Sequence, residues 1–448
     1  MGLGVTGTVA YEGVDPKFYN PLTPLQIQKC PACYYVMHFG ASPSRKHGVI
    51  AITAGLVITI VLGSSYAYSV FIKPLASLWG SVFWASLPFS VLIATFAISG
   101  IFGGWLYVEK GIRAPALLSM SLTSTGLLLS SLVEVVSSPI WLILTYGVLV
   151  GLGNGTGYLP VVALARKWYP DRAGFATGIV IFGYGGSALA VAPLKAYLIE
   201  LAGVGAAFAT LGLISILMGI PAAVAIRDPP AGLVEHYSKF ARKRIVLPKK
   251  DFTPAEALKT IDFWLLWASF ILVSGAGLML IGHMAHIAEL RGVQQAPLAV
   301  SIFALMNALG RPPAGWISDR LGKFGRPVTM TVFFAAQGLL LYLLATPWTS
   351  STELFFLVIA MLGYFYGSAL ALYPAATGDF FGIKYLSENY SLVFTGWGIS
   401  GLLFPSICSY IVDLTRSYEP ALILSSALSA TGAIMCLYLK KRLALYLY

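Results

Sequence analysis

RDPPAGLVEHYSKFARKRIVLPKKDFTPAEALKTI, residues 227–261, decides how the rest of the chain is read. The stretch contains prolines and eight Lys and Arg, and long apolar runs flank it on both sides. Of the 448 residues 57% are hydrophobic and 10% charged, against roughly 25% charged in a soluble domain. Mean hydropathy is +0.79. A soluble fold needs a charged, solvated shell, so this composition excludes a cytosolic enzyme and a secreted disulfide domain. Four cysteines in a chain this long do not make a disulfide framework.

A membrane-spanning helix needs about 20 mostly apolar residues. Twelve stretches qualify, at about 48–72, 85–107, 114–134, 139–165, 173–197, 203–226, 262–286, 296–318, 326–346, 354–376, 391–413 and 418–439. The connection 227–261 divides them six and six, and the other connections are short. Long apolar runs with little period-2 alternation exclude a β-barrel. The expected fold is therefore an all-α integral membrane protein: a tail 1–47, a six-helix bundle 48–226, the basic loop, a second bundle 262–440 and a tail 441–448.

Placing the basic loop in the cytoplasm and alternating sides puts all of the 29 Lys and Arg there except Lys73, Lys195, Arg291 and Arg416, at or near the other side, and Arg311, within a helix. This positive-inside bias accounts for the net charge of +11 without nucleic acid. It predicts a multi-pass protein of the cell membrane with both termini cytoplasmic, and the start lacks the basic and apolar regions of a cleavable signal peptide. The halves also echo each other. GWLYVEKGIR (104–113) follows helix 2 and GWISDRLGKF (315–324) follows helix 8, and Gly63 and Gly275 stand at nearly the same offset in helices 1 and 7. A parallel repeat of two pseudo-symmetric bundles puts a cavity between them near the midplane, around which the halves can rock.

With these residues in view, the chain resembles the major facilitator superfamily. Gly315-x-x-x-Asp319-Arg320-x-Gly322 matches that superfamily's loop signature after helix 8, and the copy after helix 2 is degenerate, with Val108 and Glu109 at its centre. The resemblance implies a gating role for Asp319 and Arg320: a carboxylate at a helix end that pairs with a basic neighbour and latches the cytoplasmic side. More narrowly, GLGNGTGYLPVVALARKWYPDRAGFATGIVIFGYG (151–185), TPAEALKTIDFWLLW (253–267), NALGRPPAGWISDRLG (307–322), ALYPAATGDFFGIKYLSENY (371–390) and YAYSVFIKPL (66–75) resemble the oxalate/formate antiporter family, relatives of the monocarboxylate porters.

Arg311 is the sharpest single residue. A cation inside a span costs roughly 2.5–3.5 kcal/mol on insertion scales unless it meets a cavity or a counter-ion. No Asp or Glu lies in the middle third of any predicted helix, since Glu200, Glu289 and Asp413 are at helix ends. A substrate carboxylate, held bidentately by the guanidinium, is the natural partner, and a buried structural ion pair is the alternative. The resemblance also places Arg311 on the family's substrate-binding arginine. It puts Trp397 where oxalate-type members carry a second cation, which leans the reading toward monoanions. Tyr66, Tyr68, Tyr158, Tyr184, Tyr366 and Phe394 line the same pocket by resemblance, and Leu370 replaces a further pocket tyrosine. Asn307, one helical turn from Arg311 on the same face, is expected to orient it.

The remaining features have simpler readings. Gly151, Gly153, Gly155 and Gly157 are not a phosphate loop, since no Lys-Ser/Thr follows; interlocking GxxxG spacings imply close helix packing, as do Gly178, Gly183, Gly185 and Gly186. His283 and His286, near the outer end of helix 7, read as surface histidines. Cys30-x-x-Cys33 with His38 and His47 has poor zinc spacing, the tail reads as disordered, and Met37 is an alternative start. Cys408 and Cys436 read as packing residues.

The function expected is secondary transport of a small organic anion, a monocarboxylate above all, as a monomer by alternating access. No cofactor, metal, nucleotide or enzymatic centre is expected. Coupling would come from exchange of anions or from a proton accompanying the substrate. The rivals are a proton-coupled porter of a neutral solute and a transporter-like membrane sensor.

Overall fold

The computed structural model describes residues 45–169, 173–230, 250–349, 351–382 and 385–447, and among them every regular element is a helix. We number the long helices α1 (45–79), α2 (82–110), α3 (113–130), α4 (139–168), α5 (173–201), α6 (204–225), α7 (261–290), α8 (296–320), α9 (325–345), α10 (352–381), α11 (386–415) and α12 (419–447). Residues 1–44 and 231–249, which hold Cys30, Cys33 and most of the basic loop, lie outside the described residues.

Local chemistry sets the boundaries. Ser81, Thr260 and Ser351 accept the backbone N–H three residues on and so cap α2, α7 and α10. Thr253 and Glu256 form a capping box on the short turn Pro254–Ala257 that leads into α7. There the Lys250 ammonium and the Thr253 donors hold the Glu256 carboxyl down to about 2. α1 ends at Gly80, whose φ of +68° suits glycine. α5 and α6 are separated by non-helical backbone at Ala202 and Gly203.

Nine stretches are long and apolar enough by composition to cross a membrane. One of them, Ala176–Ala225, is α5 and α6 run together. The two helices left out are α3, rich in Ser and Thr, and α8, which carries Asn307, Arg311, Pro312 and Pro313. α8 is thus poorly apolar because it bears the residues singled out above.

The repeat seen in sequence returns in the packing. α1 lies on α5 and α7 on α11; α2 lies on α4 and α8 on α10; α3 lies on α6 and α9 on α12. The glycines at matching offsets do matching work. A Cβ on Gly63 would stand 2.2 Å from the Tyr184 carbonyl of α5, and one on Gly275 would stand 2.3 Å from the Phe404 ring of α11. The odd glycines of α4 alternate between two neighbours. Gly151 and Gly155 are closed against Thr95, Phe96 and Ser99 of α2, and Gly153 and Gly157 against Ser119 and Thr123 of α3. On α5 the expectation holds in part. Gly183 meets Leu56 and Thr59 of α1 and Gly185 faces Arg311, but Gly178 has open space and Gly186 meets only Phe182 of its own helix.

The two sets of six helices meet along α2–α11, α5–α8 and α1–α7. Helix connectivity gives the bundle two ends: a loop face, from which 227–261 emerges, and a far face.

Candidate substrate cavity

Between the two sets of helices lies a cavity of about 430 Å³. Its deep end is formed by Arg311, Tyr66, Tyr184 and Trp397. Toward the loop face its wall continues through Leu370 and Tyr390 to Arg166, which is exposed at the end of α4. The opening is therefore on the loop face.

Arg311 is 8% exposed. Its Nη1 donates to the Ile181 carbonyl of α5 at 3.2 Å, and its Nη2 donates to Asn307 Oδ1, one turn back on α8, at 3.4 Å. Gly185 makes room for the guanidinium, since a Cβ there would sit 3.1 Å from Nη2. Both acceptors are neutral. Arg311 Nε and Asn307 Nδ2 are buried donors with no hydrogen-bond partner, and no carboxylate pairs with Arg311 among the described residues. A buried donor left unmade costs about 1–3 kcal/mol, more when charged, so two side by side mark a place built for an acceptor.

The walls are aromatic. Tyr184 packs edge-on against Tyr66 and Tyr158, each at 4.9 Å between ring centroids. Across the cavity Trp397 stacks on Phe394 at 4.9 Å and meets the edge of Phe96 at 5.2 Å. Trp397 Nε1 donates to the Tyr366 hydroxyl at 3.0 Å, and the hydroxyls of Tyr366 and Tyr66 interact in turn. Tyr158 brings its hydroxyl to Arg311. The Tyr184 hydroxyl is already committed, donating to Asn154 Oδ1 at 2.9 Å beside Ser65.

Tyr68 does not belong to this wall. Its hydroxyl donates to the Ala85 carbonyl of α2 at 2.7 Å, and its ring packs with Phe89 and Tyr146. Residues 64–71 of α1 are wound as a 3₁₀ helix. Residues two apart point about 200° away at 3.6 per turn and about 240° away at three per turn, so in either winding Tyr66 and Tyr68 face different sides. Tyr366 and Asn307 stand behind the lining, through Trp397 and Arg311.

Asp319 accepts from Arg326 Nη2 at 3.0 Å, and Arg326 Nη1 reaches Asp379 of α10 at 2.9 Å. The expected pairing with a basic neighbour is thus made inside the second set of helices, where it ties α8, α9 and α10. Arg320 instead lays its guanidinium over the Trp316 ring at 3.9 Å.

Two buried groups depart from expectation. Lys195, read as lying near the far side, is fully buried on α5. Its Nζ donates to the carbonyls of Ser64 and Ala67 at 2.8 and 3.4 Å, and it stands over the Phe71 ring. The long stem carries the ammonium back to the α1 break, where carbonyls freed from helical bonding accept it. Arg311 is therefore not the sole cation inside the bundle. His283, read as a surface residue, is also fully buried. The sequence reading missed Phe96, Tyr390 and Arg166 as wall residues. Tyr390 was within reach, because 390, 394 and 397 recur at helical spacing on one face.

The Major Facilitator Superfamily matches residues 54–345 and 278–444. The chain belongs to this superfamily. As a superfamily member it is a twelve-helix, multi-pass membrane transporter rather than an enzyme, and the bilayer is its surroundings. Among curated proteins it is 30% identical over 348 residues to the oxalate:formate antiporter of Oxalobacter formigenes, covering 76% of this chain and 78% of that one. It is 30% identical over 353 residues to the uncharacterized MFS-type transporter YhjX of Escherichia coli, covering 78% and 84%. It is also 30% identical over 329 residues to monocarboxylate transporter 12 of Xenopus laevis, covering 68% and 69%.

Proposed function

We propose that this superfamily member carries a small organic anion, with a monocarboxylate as its natural substrate, by alternating access. One observation carries the reading. A buried guanidinium faces a cavity with its charge unmatched by any carboxylate among the described residues, and an unpaired buried donor lies on each side of its hydrogen bond to Asn307. A substrate carboxylate supplies both the charge and the acceptors. The Trp397–Phe394 stack offers an apolar wall to the rest of the molecule and no second cation. A dianion would leave one charge poorly paired at this depth, since the wall's other cation, Arg166, stands at the exposed mouth. The carboxylate transporters named among its relatives support the same class.

The loop face is read as cytoplasmic from the charge bias, which makes the observed opening an inward-facing one and the membrane the cell membrane. The account needs one copy of the chain. Capture would use Arg311 with the Tyr158 hydroxyl beside it, and Tyr66, Tyr366 and Trp397 would link the two halves around the anion.

A thermal-shift screen of the purified protein against formate, acetate, lactate, pyruvate and oxalate tests the substrate class. Monocarboxylates should raise the melting temperature of wild type and leave Arg311→Gln unmoved. A stabilising sugar with no response to any anion would replace this reading with a neutral-solute porter.

A further inference from the structure

At the far face, α7, α11 and the start of α12 enclose a second titratable cluster that anion capture does not use. His283 Nδ1 is 3.0 Å and His286 Nδ1 is 2.8 Å from the Tyr418 hydroxyl. His283 Nε2 faces the Pro405 carbonyl and Ser409 Oγ, each at 3.1 Å. Ser409 in turn bonds Ser86 of α2, across the boundary between the two sets of helices.

These contacts fix where the protons lie. The Pro405 carbonyl can only accept and the Ser409 hydroxyl also donates to it, so Nε2 of neutral His283 carries the hydrogen. Nδ1 of His283 is then the acceptor, and the Tyr418 O–H donates to it. The Tyr418 oxygen in turn accepts from Nδ1–H of His286. The chain runs one way, from half-buried His286 through Tyr418 to fully buried His283.

We propose that His283 is a proton-binding site, fed from the far face through His286 and Tyr418, that biases the rocking of the two halves. A proton from water binds His286 Nε2. The Nδ1 proton of His286 passes to the Tyr418 oxygen while the Tyr418 hydroxyl proton passes to His283 Nδ1. His286 is left neutral with its proton on Nε2, Tyr418 remains a phenol, and His283 becomes an imidazolium. Both hydrogen bonds to Tyr418 survive with their directions reversed, His283 Nδ1–H donating to Tyr418 and Tyr418 O–H donating to His286, while His283 Nε2–H still donates to Pro405.

The charge, however, now lies where α2 covers it from water. A buried cation favours whichever arrangement hydrates it, and here that arrangement has α2 withdrawn from α11. The charged and titratable neighbours are Asp413 and Cys408 of α11, Arg416 just beyond it, Glu289 on α7, and Lys73 of α1, 3.6 Å from Glu289. Asp413 is engaged with the start of α2 and Glu289 faces Lys73, so neither acid is held as a dedicated counter-ion for His283. Acid on the far side would thus open the far side, and a proton would enter with the substrate. That last coupling rests on the carboxylate reading above; the proton site does not, so its test contains no anion.

The test places spin labels at Val135→Cys and Trp348→Cys, two exposed far-face positions in different halves, with Cys30, Cys33, Cys408 and Cys436 replaced. The distance distribution is measured on purified protein at about pH 7.5 and about pH 5.5, which bracket the titration of a hydrated imidazole, the state His283 reaches once α2 withdraws. Acid should enlarge a longer-distance population at least about twofold in the parent. His283→Gln should abolish that response, and His286→Gln, which removes the feed but not the site, should keep it at equilibrium. A parent distribution that ignores pH, a His283→Gln that responds like the parent, or a response lost in His286→Gln and kept in His283→Gln would each overturn the proposal. Because the parent arm is decisive alone, a variant that fails to fold does not shelter it. If the acid response appears while formate and lactate are not transported, the proton site stands and the carboxylate reading falls.

Discussion

The two ends of the boundary between the helix sets differ in how their polar groups are satisfied. At the far face the contacts that cross the boundary are made, while Trp79 Nε1 and Glu289 Oε2 beside them lack hydrogen-bond partners. Asp413 of α11 accepts from Ser81 Oγ at 2.7 Å and from the Val82 and Phe83 N–H groups at 2.9 and 3.0 Å, capping α2 from the other half. His283, Tyr418, Ser409 and Ser86 close the layer beneath. Around the cavity, Arg311 Nε, Asn307 Nδ2 and Thr177 Oγ1 are buried without partners. Satisfied polar groups hold two surfaces together, and unsatisfied ones wait for something else. In the proposed mechanism the first end is the seal and the second the binding site.

The largest expected effect comes from setting a packed glycine against a glycine of the cavity. A Cβ on Gly155 would lie 2.1 Å from the Phe96 carbonyl, whereas one on Gly185 would lie 3.1 Å from Arg311 Nη2. Gly155→Ala forces α2 and α4 apart and should cost at least ~1–3 kcal/mol, read as a lower melting temperature. Gly185→Ala should keep wild-type stability and weaken anion binding a few-fold by nudging the guanidinium. The reverse pattern would break the contrast between packed and binding surfaces.

Next in size is the seal. Asp413→Ala leaves Ser81 capping Trp84 but strips the Val82 and Phe83 N–H groups of their acceptor, which costs about 0.5–2 kcal/mol, and lowers the occupancy of the arrangement open to the loop face. Labelling of Thr177→Cys, on the cavity wall, by a bulky maleimide should slow several-fold. Unchanged labelling would mean the cap contributes little to closure.

A smaller and more selective change is Trp397→Lys. It adds a cation opposite Arg311 and removes the indole bond to Tyr366. Oxalate should then compete better relative to formate, at some loss of stability from the broken Phe394 stack. An unaltered preference would separate selectivity from charge number.

The fold was legible because span length, six-and-six division and charge bias are properties of composition along the chain. Arg311 and Asn307 were legible because a polar pair one turn apart stands out in an apolar helix. Tyr68 was placed in the pocket by resemblance, although helical periodicity already sets residues 66 and 68 on different sides. Lys195 and His283 were read as near-surface because depth was counted along the helix. A long stem folded back to carbonyls, and a ring covered by the neighbouring helices, are tertiary facts. For the same reason the partner of Asp319 is Arg326, supplied by the start of the next helix.

The central claim is that the Arg311 guanidinium binds the transported anion. Counterflow of labelled formate or lactate in proteoliposomes, for wild type, Arg311→Lys and Arg311→Gln, tests it most directly. Losing a charge-assisted bond costs about 1.5–3 kcal/mol, so Arg311→Gln should lose about tenfold or more in apparent affinity. Arg311→Lys should fall between, since an ammonium lacks the bidentate fork. Arg311→Gln protein that is folded and carries the anion as well as wild type would contradict the account.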